Sequence, residues 1–287
     1  MEYVKLNNGV EMPVLGFGVY QISDPEVCER AVGDALKIGY RSIDTAAAYG
    51  NEEAVGRAVR RSGVPREELF ITTKLWISDA GYEPARKAFE ESMSKLGLDY
   101  LDQMIIHAPQ PWNEFRDTKR YFAENKAVWR ALEDAQATGK VRVIGVSNFL
   151  QDDLENLLSD CRIQPMVNQI LLHISNTDHD LLNFCREQHI QVEAYSPIAH
   201  GEALKNPVIA QMAKKYGVSA AQLCVRYVLQ LGTVALPKTA DPQHMKENAA
   251  VDFVLTPEDM AALMQMEHIA DYGEFSFFPV FSGKKQV

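Results

Sequence analysis

The sequence lacks long apolar runs and has little positive charge. No apolar stretch in its 287 residues approaches the roughly 20 residues that a membrane-spanning helix needs. The formal net charge of −10 disfavours binding to nucleic acid or to anionic membranes. Residues 1–9 contain no basic segment followed by an apolar core, so no signal peptide is predicted and we expect a cytoplasmic protein without membrane or nucleic-acid partners.

Cysteine pairs and nucleophile motifs are also missing. The four cysteines are scattered without a CxxC pair, which favours free thiols in a reducing compartment over disulfides or a zinc site. No GxSxG sequence offers a nucleophilic serine. No GxGxxG sequence opens a helix after the first predicted strand, because residues 16–18 lack the third glycine.

Strand-like and helix-like segments alternate along the whole chain. The strand-like runs are residues 14–17, 42–43, 70–73, 102–106, 141–146, 166–169, 190–195 and 233–236. The helix-like segments are residues 25–38, 52–62, 84–96, 123–138, 150–158, 178–188, 206–230 and 242–250. This alternation predicts an α/β protein with a parallel sheet and right-handed crossovers. Eight units fit a closed (β/α)8 TIM barrel in one domain, 1–287. A doubly wound open sheet is the alternative, which the absent GxGxxG sequence disfavours.

Three segments stand outside this repeat. Residues 4–14 alternate around Asn8-Gly9, which predicts an N-terminal β-hairpin. Residues 108–122 form a long polar and aromatic loop after the fourth strand of the repeat. Residues 268–287 follow the last helix and are rich in phenylalanine. Aromatic side chains on such loops are candidates to line a pocket, so this C-terminal loop is predicted to lie over the rim of the active site.

Polar side chains follow three consecutive predicted strands. Asp44, Lys74 and His107 stand at the ends of the second, third and fourth strands, and Tyr49 lies on the small-residue loop after Asp44. In a parallel barrel such loops gather at the carboxyl ends of the strands, where ligands bind. Each residue has an ordinary explanation, namely a helix cap, a half-buried phenol, a structural ion pair or a core imidazole. Their occurrence on consecutive units favours a shared site.

The chemistry of these four residues is coherent. A buried ammonium needs a partner, and Asp44 is the carboxylate available to Lys74. An ammonium near Tyr49 is expected to lower the pKa of the phenol and to make it a tuned proton donor. One histidine and one aspartate are too few for a metal site. A carbonyl protonated by tyrosine needs an electron pair from elsewhere, which indicates a hydride-donating cofactor.

Further polar residues follow the later strands. The amides of Asn148 and Gln169 could hold a carboxamide, and Tyr195 could stack on a flat ring. Lys238, with the N-terminus of the next helix, could bind phosphate. Turn caps, core hydrogen bonds and a solvated surface explain these residues equally well.

Several motifs in order resemble the aldo-keto reductase family along the whole chain. The matching stretches are residues 12–18, 39–46, 49–52, 73–76, 107, 145–149, 168–169, 194–197, 237–239 and 247–248. The resemblance implies a TIM barrel that binds NADPH across its carboxyl end. It also implies an oxidoreductase that reduces aldehydes and ketones, its small-molecule partners, to alcohols. We expect a monomer.

The resemblance assigns roles to individual residues. Tyr49 would be the general acid, tuned by Lys74 and Asp44, and His107 would orient the substrate. The implied cofactor-binding residues are Gly18, Val19, Tyr20, Asp44, Ser147, Asn148, Gln169, Tyr195, Ser196, Lys238, Thr239, His244, Glu247 and Asn248. The predicted substrate-binding residues are Tyr20, Tyr49, Trp76, His107 and Trp112.

Departures from the family pattern bear on specificity. Tyr20 stands where many members have tryptophan, and Ala108 replaces the tryptophan that frequently follows the active-site histidine. His244 stands where the family usually has the arginine that grips the 2′-phosphate, so NADH is expected to be usable beside NADPH. A cofactor-binding regulatory subunit is an alternative function, against which the intact catalytic set argues. A metal-dependent barrel hydrolase would need carboxylate or histidine pairs at strand ends that the sequence does not supply.

Overall fold

A β-hairpin precedes the main sheet, as the sequence predicted. In the computed structural model, which describes residues 2–76 and 81–281, strands β1 (Tyr3–Lys5) and β2 (Glu11–Pro13) pair antiparallel. Gly9 takes a positive φ of 86° in the turn, a conformation that glycine adopts without steric cost. The amide of Asn8 donates to the backbone oxygen of Arg142, at 3.0 Å. Since Arg142 lies near the start of a barrel strand, the hairpin covers the amino-terminal end of the barrel.

Within the described ranges, eight further strands form one parallel sheet in chain order. They are β3 (Gly16–Gly18), β4 (Ser42–Asp44), β5 (Phe70–Leu75), β6 (Leu101–Ile106), β7 (Val141–Ser147), β8 (Val167–Leu171), β9 (Gln191–Tyr195) and β10 (Val234–Leu236). The first and last strands meet, because the backbone N–H of Ala235 donates to the oxygen of Val14 at 2.9 Å. This closure confirms the (β/α)8 barrel over the open sheet.

Helices surround the strands and agree closely with the predicted segments. In the described part of the chain they are α1 (Pro25–Ile38), α2 (Glu52–Arg61), α3 (Tyr82–Leu96), α4 (Phe122–Ala137), α5 (Gln151–Leu158), α6 (His179–Glu187), α7 (Glu202–Lys205), α8 (Pro207–Tyr216), α9 (Ala220–Gln230), α10 (Pro242–Ala249) and α11 (Pro257–Met264). None of these helices combines the length and the apolar character that crossing a bilayer requires.

The prediction of one helix over residues 206–230 is wrong. Helix α8 ends where Gly217 adopts a left-handed φ of 68°, and its backbone N–H donates to the oxygens of Ala213 and Lys214 in the last turn. Ser219 then starts α9 through a capping box with Gln222. The apolar periodicity continues across the break, which is why pattern alone did not reveal it. The short helices α7 and α11 were not predicted.

Two loops shape the carboxyl end of the barrel. Residues 107–121 join β6 to α4 and include the single turn Trp112–Glu114. The C-terminal segment returns to the barrel, where the hydroxyl of Tyr272 lies 2.9 Å from Nε2 of the buried His173. Phe275, Phe278 and Phe281 line a cavity at this end, which confirms the C-terminal loop over the rim. Residues 282–287 of the predicted segment lie outside the described residues.

The contact between α2 and α3 depends on a glycine. Gly56 lies buried on α2, and a Cβ atom placed on it would lie 2.0 Å from the backbone oxygen of Leu96, the last residue of α3. A backbone carbonyl cannot move aside without shifting the helix that carries it. This site therefore excludes every other side chain.

We expect Gly56→Ala to destabilise the fold by about 1–3 kcal/mol or more, the usual cost of overpacking. Gly33→Ala on α1 is the matched control, because no atom lies within 4 Å of its added Cβ. That variant should be stabilised by up to about 1 kcal/mol, since alanine favours a helix over glycine. Urea unfolding of both variants measures the difference, and destabilisation of similar size in both would contradict the packing argument.

Candidate active site

A cavity of about 590 Å³ opens at the carboxyl ends of the barrel strands. Most of the residues that the sequence assigned to the site line it: Gly18, Tyr20, Asp44, Tyr49, Trp76, His107, Trp112, Ser147, Asn148, Gln169, Tyr195, Ser196 and Lys238. The barrel brings these positions together from all eight of its strands and the loops that follow them.

Lys74 lies on β5 beneath the cavity floor, with 1% of its side chain exposed. Its ammonium donates to Asp44 Oδ1 at 2.5 Å and to the backbone oxygen of Thr45 at 2.9 Å. A third contact, of 3.3 Å, joins its Nζ to the hydroxyl of Tyr49. The three protons of the ammonium are thus matched by three oxygens, which satisfies a charge that would otherwise be costly to bury.

The loop between β4 and α2 delivers Tyr49 to this ammonium. Residues Ala47–Tyr49 form one helical turn, which Gly50 ends with a φ of 69°. Asn51 stands at the start of α2, where asparagine often caps a helix, but its side chain does not do so here. Instead it bonds Thr45 Oγ1 at 2.6 Å and the backbone oxygen of Val19 at 3.0 Å. These tertiary bonds, which fix the loop that carries Tyr49, take precedence over the local cap.

The expected direction of the Tyr49 pKa is wrong. Burial raises the pKa of this phenol well above its usual value, and the Asp44 carboxylate and Tyr20 raise it further. Lys74 does not reverse the shift, because its charge is paired with Asp44. Tyr49 is therefore protonated at neutral pH, which is the form a proton donor requires.

His107 lines the cavity beside Tyr49. Its ring lies edge-on to those of Tyr49, Trp76 and Trp112, at centroid distances of 5.7, 5.6 and 5.8 Å. Burial and then the charge of Lys74 hold the pKa of His107 well below its usual value. The imidazole is therefore neutral, and a neutral imidazole offers one hydrogen-bond donor and one acceptor.

Asn148, at the end of β7, is held in a left-handed conformation with a φ of 61°. Its amide nitrogen donates to the backbone oxygen of His107 and to Ser147 Oγ, both at 3.0 Å. Its Oδ1 accepts from the hydroxyl of Tyr195 at 2.6 Å. Both amide hydrogens are committed, so the amide can offer a ligand only its oxygen.

Gln169 on β8 is oriented by two carboxylates. Its Nε2 donates to Asp44 Oδ2 at 2.9 Å and to Glu193 Oε2 at 3.0 Å. The amide oxygen is thereby left to accept a hydrogen bond. Glu193 was not among the predicted site residues, although an acid within the apolar run of the predicted seventh strand of the repeat was a usable signal.

His200, which was also not predicted, follows β9 in the single turn Ala199–Gly201. Its ring stacks on Phe275 with a centroid distance of 4.3 Å and meets the edge of Phe281 at 4.5 Å. Burial, with a smaller contribution from Lys238, lowers the pKa of His200 to about 4. No motif marks this residue, because its partners come from the C-terminal loop.

The remaining predicted cofactor residues do not line the cavity. Val19 is fully buried, and both its backbone groups are bonded. The other four, Thr239, His244, Glu247 and Asn248, lie on or before α10. The N-terminus of α10 does not offer the free N–H groups that we expected for phosphate. Asp241 Oδ1 accepts from the N–H groups of Gln243 and His244, at 2.7 and 3.4 Å.

Comparison with known proteins gives consistent results. The model of the Aldo/keto reductase family matches residues 14–268. A glyoxal reductase of Bacillus subtilis (strain 168) is 48% identical over 258 residues, which span 90% of each chain. A 9,11-endoperoxide prostaglandin H2 reductase of Trypanosoma cruzi (strain CL Brener) is 43% identical over 96% of each chain.

Solved structures agree with the fold. An aldo/keto reductase from Brucella melitensis has a TM-score of 0.85 and 41% identity, covering 92% of this chain and 98% of its own. A Bombyx mori aldo-keto reductase in complex with NADP has a TM-score of 0.86 and 32% identity over 98% of both chains. Together, these matches show that this chain belongs to the aldo/keto reductase family.

Proposed function

We propose that this protein reduces aldehydes and ketones to alcohols with NADPH, and that Tyr49 is the general acid. The observation that carries the proposal is the buried Lys74 ammonium, which joins Asp44 to the hydroxyl of Tyr49 at the wall of a cavity. The names of the relatives support it, since they include a glyoxal reductase and a prostaglandin reductase. The Bombyx mori structure with NADP supports the choice of cofactor.

The donor and acceptor pattern of the cavity fits NADPH. The oriented amide of Gln169 and the oxygen of Asn148 can accept hydrogen bonds from the nicotinamide carboxamide. The half-buried ring of Tyr195 lines the same wall and can stack on the nicotinamide. Lys238 is exposed at the cavity and can pair with phosphate. When bound, NADPH supplies the hydride that reduces the carbonyl carbon.

The residues of this chain then manage the proton. Tyr49 is protonated in the free site and can donate to the carbonyl oxygen as negative charge develops there. The phenolate that remains is stabilised by the Lys74 ammonium, whose position Asp44 and the Thr45 carbonyl fix. The neutral imidazole of His107 can donate a hydrogen bond to the same oxygen and so orient the substrate.

Loss of NADPH absorbance with a panel of aldehydes and ketones tests the reaction directly. A cofactor-binding regulatory protein would bind NADPH without oxidising it in the presence of any member of the panel. That outcome would overturn the proposed function. A protein that only binds NADPH would not need a proton donor. The intact arrangement of Tyr49, Lys74 and His107 therefore argues against a purely regulatory function.

Replacing Tyr49 with phenylalanine keeps the ring and removes the proton. We expect turnover to fall by at least ~10²-fold, the usual contribution of general acid catalysis, with NADPH affinity unchanged. Tyr82→Phe on α3 is the control, because it removes a hydroxyl bonded to Asp134 outside the cavity. Steady-state rates and NADPH titration separate the two effects. Near-normal turnover in Tyr49→Phe would remove Tyr49 from the mechanism.

The aromatic wall is proposed to select the substrate. Phe278 lines the cavity with its ring 6.1 Å from that of Tyr20, whereas the neighbouring Phe277 is 74% exposed. Phe278→Ala should raise KM for aromatic aldehydes about 10-fold. The variant loses about 1 kcal/mol from the contact between the substrate ring and Phe278, and it buries less apolar surface of the substrate. KM for acetaldehyde should change little. Phe277→Ala is the matched control, and equal effects of the two variants on the ratio of the KM values would refute the assignment.

The residue at position 244 is proposed to set cofactor preference. His244 and Asp241 lie together at the start of α10, so the 2′-phosphate meets a weak donor and a carboxylate there. His244→Arg should tighten NADPH binding about 10- to 100-fold through a charge-assisted bond, leaving NADH unchanged. Gln243→Arg adds the same charge one residue away and should tighten NADPH less. Fluorescence titrations at pH 7.5 give the affinities, and a preference in His244→Arg equal to that of the parent would reject the assignment.

A further inference from the structure

A second carboxyl group lies inside the barrel beneath the cavity. Glu193 on β9 is 1% exposed, and it pairs in register with Gln169 on β8 and Val234 on β10. Its Oε2 accepts from Gln103 Nε2 on β6 at 2.9 Å and from Gln169 Nε2 at 3.0 Å. The proton transfer described above makes no use of this group.

A continuous chain of hydrogen bonds links Glu193 to the proton donor. Gln169 Nε2 joins Glu193 to Asp44 Oδ2, and Asp44 Oδ1 binds the Lys74 ammonium. The same ammonium contacts the hydroxyl of Tyr49. Since an amide nitrogen carries two hydrogens, Gln169 needs an acceptor on each side to have one fixed orientation. Asp44 supplies one acceptor and Glu193 the other.

We propose that Glu193 is a positioning residue whose ionised carboxylate holds the Gln169 amide in the orientation that presents its oxygen to the nicotinamide carboxamide. This proposal rests on the proposed function, because the NADPH of that function has the nicotinamide carboxamide that the Gln169 oxygen would bind. A neutral group at position 193 accepts more weakly and can itself donate. The Gln169 amide can then rotate, so its oxygen is no longer held facing the cavity.

The charges around Glu193 make its orientation of the Gln169 amide dependent on pH near neutrality. Two carboxylates, Asp44 on β4 and Glu193, lie near one ammonium, Lys74 on β5, which is ion-paired with Asp44. Burial and then Asp44 raise the pKa of Glu193 to about 7, while the amides of Gln169 and Gln103 and the charge of Lys74 oppose the shift. The Gln103 amide already donates to Glu193, and its Oε1 is buried without a hydrogen-bond partner among the described residues. This amide can therefore accept a hydrogen bond from a neutral Glu193.

The test compares Glu193→Gln with the parent, because glutamine mimics the protonated acid at every pH. NADPH dissociation constants are measured by fluorescence titration at about pH 5.5 and pH 8.5, on either side of the Glu193 pKa of about 7. At the higher pH the variant should bind NADPH about 10-fold more weakly, the effect of losing a hydrogen bond to a charged group. At the lower pH the two proteins should bind alike. The ratio of the dissociation constants of the two proteins at each pH cancels the effect of the titration of the 2′-phosphate, which is the same for both.

A second readout does not involve the cofactor. A carboxyl group whose pKa is higher in the folded state than in the unfolded state stabilises the fold fully at a pH below the unfolded-state pKa. This contribution is lost as the pH rises through the folded-state pKa, which is about 7 for Glu193. The midpoint of thermal unfolding of Glu193→Gln should therefore rise relative to that of the parent between about pH 5 and pH 8. A constant difference across this range would show that Glu193 does not titrate as proposed.

Glu133→Gln is the matched control, since Glu133 is a buried glutamate on α4 that bonds Arg162 outside the cavity. It should leave NADPH affinity unchanged at both pH values. If Glu193→Gln weakens binding by the same factor at both pH values, Glu193 has only a structural role and the proposal is overturned. Failure of the parent to reduce any carbonyl would instead overturn the proposed function, so the two failures are distinguishable.

Discussion

The site depends on one buried ammonium. Lys74 is enclosed by the barrel, and an unpaired charge there would be too costly for the fold to retain. The barrel meets this constraint by placing Asp44 on the adjacent strand β4, with β4 and β5 paired in parallel. The Thr45 carbonyl and the Tyr49 hydroxyl complete the set of acceptors. The same requirement that keeps the barrel stable therefore fixes the distance between the ammonium and the Tyr49 hydroxyl.

The rest of the cavity floor follows from the limited number of hydrogen bonds that buried amides can make. Asp44 uses its second oxygen to hold Gln169, and Gln169 reaches Glu193. On the next strand, Asn148 is locked between a backbone carbonyl and the hydroxyl of Tyr195. Each amide thus has one orientation before any ligand arrives. Such preorganisation avoids the cost of ordering polar groups on binding.

The outer wall is built on a different basis. The C-terminal loop contributes phenylalanine rings that pack on His200 and Tyr20, and these contacts are mostly apolar. Apolar contacts specify shape less strictly than hydrogen-bonded networks do, because they lack direction. The groups proposed to transfer the proton are therefore held by barrel strands and the short loop after β4, while the groups proposed to choose the substrate lie on loops. Reaction and specificity can then change separately.

Sequence alone determined the architecture and most of the polar residues that line the cavity. Alternating segments gave the barrel, since the periods of strands and helices are local properties of the chain. Polar residues at strand ends gave Asp44, Tyr49, Lys74 and His107, because parallel strands must deliver such residues to one rim. Only the tertiary structure decided the direction of the Tyr49 pKa, which depends on burial and on the pairing of Lys74 with Asp44. It also decided the side-chain partners of Asn51, Glu193 and His200. Those partners are distant in sequence and meet only when the barrel closes, so no local pattern could identify them.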